Sequence, residues 1–80
     1  MNVDSLVTMA NQIADFFVSE AGVDAAPHEI ASHITKFWDP RMRTQIIAHA
    51  AAGGAGLSPA ALAAARQLQP PAVKAASAAV

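Results

Sequence analysis

The chain has 80 residues, a formal net charge of −1 at pH 7, a hydrophobic fraction of 54% and no cysteine. So short a chain holds one domain that buries only about 60% of its unfolded surface, and no disulfide or thiolate metal site makes up the deficit, which points to a partner protein. Mixed charges argue against nucleic acid or an anionic membrane as the main partner, and no apolar run reaches membrane-spanning length. The N-terminus lacks a basic region followed by an apolar core, so no signal peptide is expected and the cytoplasm is the default compartment.

From Val3 to Ala21 apolar residues recur at helical spacing. Leu6, Met9, Ala10, Ile13, Phe16 and Phe17 share a face, and Thr8, Asn11, Gln12, Asp15 and Ser19 fall opposite. With Val7, Ala14 and Val18 the apolar arc spans roughly 200°, wider than one neighbour needs, so this helix is expected to touch two. Gly22 suits the position just past its end. Asp24 or Ala26 is expected to precede a second helix with Pro27 in its first turn. Ile30, Ile34, Phe37 and Trp38 then form an i, i+4, i+7, i+8 stripe predicted to be buried.

Phe37-Trp38-Asp39-Pro40-Arg41-Met42-Arg43 organises the rest. Pro40 drives Asp39 out of the helical region, Asp39 is a favoured N-cap, and Pro is tolerated at the first helical position. One helix therefore ends and another begins with almost no linker, and two large aromatics meet at the joint. The third helix should run from Pro40 to about Ala52, with Met42, Ile46, His49 and Ala50 on one face. Gly53-Gly54 stops it. Ser58-Pro59 repeats the cap grammar, predicting a short fourth helix to about Leu68, anchored by Leu57 and Leu62. The whole reads as a small all-α domain of three to four helices over residues 1–69, followed by a Pro/Ala-rich tail over 70–80.

Motifs for chemistry fail on geometry. His28 and His33 are five apart, which turns them about 140° from each other on a helix, whereas the zinc motif needs a spacing of four. Ser58 lacks the strand and second glycine of a nucleophile elbow and is explained by capping. Gly53-Gly54-Ala55-Gly56 has no Lys-Ser/Thr behind it, so it reads as a helix connection rather than a phosphate loop. No catalytic, cofactor-binding or metal-ligating residue is assigned. Recognition is the remaining possibility. A chain this small is not expected to bury Phe16, Phe17, Phe37 and Trp38 together, and leftover aromatic surface marks an interface. Arg43 falls where it would stack on Trp38, and Arg41 then points to solvent or to a partner carboxylate. The expected partner interface is Phe16, Phe17, Phe37, Trp38, Arg41 and Arg43.

Met9-Ala10-Asn11-Gln12-Ile13-Ala14-Asp15-Phe16-Phe17, His33-Ile34, the run from Lys36 to Arg43, and Gly53-Gly54-Ala55-Gly56-Leu57 together resemble the delta subunit of the soluble NAD-dependent formate dehydrogenase. The likeness runs from about Leu6 to Leu62 and does not extend to the Ala-rich end. It implies an accessory subunit of a cytoplasmic complex that oxidises formate to carbon dioxide and reduces NAD⁺. In such a complex a large alpha subunit carries the molybdenum or tungsten bis-pterin cofactor and iron–sulfur clusters. Beta and gamma subunits carry FMN, further clusters and the NAD site. The resemblance supplies no catalytic residue for this chain, and the expected partner is the alpha subunit. The alternative is a free-standing helical adaptor that binds an amphipathic helix in its groove.

Overall fold

The computed structural model describes residues 2–70, which form helices α1 (Val3–Ala21), α2 (Ala26–Phe37), α3 (Pro40–Ala51) and α4 (Pro59–Gln67), with no strand among the described residues. Each helix starts on local chemistry. The Asn2 side chain accepts from the Ser5 amide at 2.9 Å, Asp39 from Met42 at 3.1 Å and Ser58 from Ala61 at 3.3 Å. All three are N-cap bonds to the third helical amide, which satisfy donors the helix itself leaves orphaned. Pro40 and Pro59 follow their caps as first helical residues.

The start of α2 differs from expectation. Its N-cap is Ala25, already in helical backbone conformation and making no side-chain cap bond, rather than Asp24 or Ala26, and Ala26 is instead the first helical residue. A tight turn takes over the work. The Ala26 amide donates to the Gly22 carbonyl at 3.0 Å, and Pro27 removes one orphan donor outright. Gly22 makes that turn from φ 86°, a conformation costly for a residue with a Cβ.

α1 packs against α2, α3 and α4, which accounts for its wide apolar arc. The core it covers is made largely of alanine, with Leu6, Ile30, Ile34, Trp38, Ile46 and Leu68 as its larger members. Small side chains let helix axes approach, so a short chain closes a core without many large residues. The loop between α3 and α4 is held from three sides. The Gly54 amide closes α3 on the His49 carbonyl at 2.8 Å, and His49 Nε2 lies 2.7 Å from the Ala55 carbonyl. From α1, Asn11 donates through Nδ2 to the Gly56 carbonyl at 2.9 Å and accepts the Ser58 amide at 2.8 Å. Gly54 sits at φ 67° against Leu62, and a Cβ there would meet Leu62 Cδ1.

The tail expected over residues 70–80 lies, after Pro70, outside the described residues.

Candidate docking surface

The α2–α3 corner splits two neighbours. Phe37 is the last residue of α2, and Trp38 leaves the helix with φ −89° and ψ 143°. That extended step turns the indole inward, so Trp38 is only 5% exposed and joins the core, while Phe37 is 72% exposed. The expected buried stripe therefore holds at Ile30, Ile34 and Trp38 and fails at Phe37. Trp38 is correspondingly corrected as an exposed interface anchor: its side chain supports the corner from beneath.

Arg43 is also corrected. Its contact with Trp38 goes to the backbone, with Nη1 donating to the Trp38 carbonyl at 2.8 Å and to the Thr35 carbonyl at 3.4 Å. A guanidinium at the C-terminal end of α2 meets carbonyls that the helix leaves unpaired and opposes the negative end of its dipole. Arg43 thus welds α3 to the end of α2. Arg41 is exposed on α3 and is not among the residues lining the groove described next.

Between α1 and α2 runs a row of rings. Phe16 and Phe17 meet edge to face at 5.0 Å between centroids. Phe17 meets His33 at 6.0 Å, and His33 meets Phe37 at 4.7 Å. These separations and tilts suit the ring quadrupoles. Beside the row lies a groove of about 540 Å³. Phe16, Phe17, His33 and Phe37 line it together with Met9, Gln12, Ile13 and Trp38, and no carboxylate, Lys or Arg is among them. Phe16 is 58% exposed on its rim. Such a surface offers apolar area and two large, lightly covered anchors, the composition of an interface centre.

Of the six expected interface residues, the structure brings together Phe16, Phe17 and Phe37 around one groove with Trp38 beneath. Reading the sequence missed His33 as a member of the ring row and Asn11 as the clamp of the α3–α4 loop. His33 carried a signal, since it stands four residues before Phe37 on the same helix. Among the described residues no group of three or more His, Cys, Asp or Glu is arranged to hold a metal ion. No helix among them is long and apolar enough to cross a membrane.

The sequence model of the NADH-dependent formate dehydrogenase delta subunit, FdsD, matches residues 5–65. The chain belongs to the FdsD family. No curated protein and no solved structure matches it. The FdsD match takes in the whole of α2 and α3, most of α1 and α4, the aromatic groove and the Asn11 clamp. The family is a subunit of NAD-dependent formate dehydrogenase, so the chain is one component of a larger enzyme assembly.

Proposed function

We propose that this delta subunit is a non-catalytic brace of the cytoplasmic formate dehydrogenase complex, seated on the large alpha subunit through Phe16, Phe17 and Phe37. The reaction, formate and NAD⁺ to carbon dioxide and NADH, belongs on this reading to the other subunits. So do the molybdenum or tungsten bis-pterin cofactor, the iron–sulfur clusters, FMN and the NAD site, with beta and gamma completing the electron path. The observation that carries the reading is the pair of exposed phenylalanines on an uncharged groove in a member of the FdsD family. Exposed phenylalanines gain by leaving water, at roughly 25 cal/mol per Å² of apolar surface covered. A small subunit that binds only the folded form of a large one shifts that partner's folding equilibrium by mass action.

The test is reconstitution. Complex purified without this chain should lose formate oxidation on heating at a lower temperature than complete complex. Adding the purified chain in excess should restore heat resistance and leave kcat of the surviving enzyme unchanged. If the addition instead creates activity in a fully stable, inactive complex, the chain supplies part of the catalytic machinery and the proposal fails.

A further inference from the structure

His33 is the one titratable residue among those lining the aromatic groove. It stands half-buried between two phenyl rings, 6.0 Å from Phe17 and 4.7 Å from Phe37 between centroids. Of the other histidines, His28 lines a separate cleft with Gln67 of α4, and His49 is engaged by the Ala55 carbonyl. The seat proposed above draws on the phenylalanines, and the imidazole between them has no part in it.

Histidine changes charge between about pH 5 and 8. The neutral ring is a flat, largely apolar member of the row, whereas the charged ring needs water or a counter-charge. The groove offers no counter-charge, since no carboxylate lines it. Charged groups on the helices around it stand outside the lining. On α2, exposed Glu29 and Lys36 lie one turn to either side of His33. On α1, exposed Glu20 lies one turn past Phe16 and Phe17, and Asp15 lines a different groove. On α3, Arg43 is committed to the Thr35 and Trp38 carbonyls, and α4 contributes only exposed Arg66, in its last turn. Exposed charges of both signs, screened by water and salt, give an imidazolium little support.

We propose that His33 makes docking pH-dependent: the chain seats on its partner with the imidazole neutral, and protonation releases it, a dependence that rests on the aromatic groove being the seat on the alpha subunit. In the free chain a charged ring keeps water on its open side. A partner surface that covers Phe17 and Phe37 also covers the ring between them, so docking strips that water away. Docking therefore favours the ring without its proton. Association is full above the histidine range and falls as pH drops through it. The phenyl rings attract an imidazolium as well, yet that attraction is present in the free chain too and offsets only part of the lost hydration.

The experiment measures binding of the labelled full chain to formate dehydrogenase complex purified without it, at about pH 7.5 and about pH 5.5, on either side of the ordinary histidine midpoint. The dissociation constant should rise roughly tenfold at the lower pH, because the neutral fraction of histidine sets the competent fraction of the chain. His33→Gln does not titrate and should change little over the same interval. A dissociation constant that is flat in pH overturns the inference. So does one that falls on acidification, which means that the partner sets a carboxylate over the ring, or one that rises equally for His33→Gln. Circular dichroism accompanies each chain at both pH values. Should acid lower helicity, His33→Arg at the higher pH carries the charge without the acid. It should bind several-fold more weakly than His33→Gln, and equal binding by the two counts against the inference. Phe16→Ala with Phe37→Ala separates this from the seat itself. Undiminished binding by that variant at the higher pH refutes the groove as seat and the inference with it, whereas its loss beside a pH-independent parent chain refutes the role of His33 alone.

Discussion

Phe37 and Trp38 are adjacent, aromatic and on the same predicted stripe, yet one faces water and the other the core. The difference lies in backbone. Phe37 still has helical geometry, while Trp38 is extended because Pro40 forces the chain out of the helix at Asp39. The extended step changes which way the indole leaves the chain, and Arg43 fixes the step by holding the Trp38 carbonyl. One corner thus produces two regions: a hinge of buried Trp38 and half-buried Arg43 that belongs to folding, and a ring row in which exposed Phe16 and Phe37 flank half-buried His33 and have little folding work. Stability and recognition should separate cleanly between them.

The largest expected effect is on the hinge. Trp38→Ala removes the largest side chain of the core and should destabilise the free chain by about 3–5 kcal/mol, enough to unfold a small domain at room temperature. Loss of cooperative urea unfolding by circular dichroism is the readout, and a near-normal midpoint would mean that Trp38 is not core. A smaller effect is expected from polar stitches. Asn11→Ala strands the Ser58 amide and the Gly56 carbonyl and should cost about 1–2 kcal/mol. Asp39→Ala loses one N-cap and should cost about 1 kcal/mol. The two residues lie in different joints, so the double variant should be close to additive, and strong coupling between them would show that the corner and the loop are one structural unit.

Much of this fold was legible because its boundaries are set locally. Asp39-Pro40, Ser58-Pro59, Gly22 and Gly53-Gly54 each mark a helix end through their own backbone preferences, and the structure puts the ends where those residues stand. Partner contacts across the chain left less trace. Asn11 looked like an outward-facing polar residue, since its bonds run to Gly56 and Ser58, far along the sequence and invisible to helical periodicity. Phe37 misled for a related reason. At 100° per residue it lies nearer the Ile30–Ile34 line than Trp38 does, so period alone favours the wrong aromatic for the core. The guanidinium of Arg43 was placed near the right residue but on its ring instead of its carbonyl, a choice set by the departure of the chain from α2. The groove residues Phe16, Phe17 and Phe37 were legible by surplus: there were more large rings than so short a chain was expected to cover.

The most direct test of the separation is retention of Phe16→Ala with Phe37→Ala in the purified formate dehydrogenase complex, measured beside the unfolding midpoint of the same free variant. Both residues are exposed, so the free chain should change by no more than about 1 kcal/mol in total, near the ordinary scatter of surface substitutions. Association should fall by about 2 kcal/mol or more for each anchor that is desolvated on docking, so the variant should be lost from the complex on gel filtration. A variant that unfolds on its own, or one that stays in the complex at full stoichiometry, would contradict the assignment of the ring row to docking.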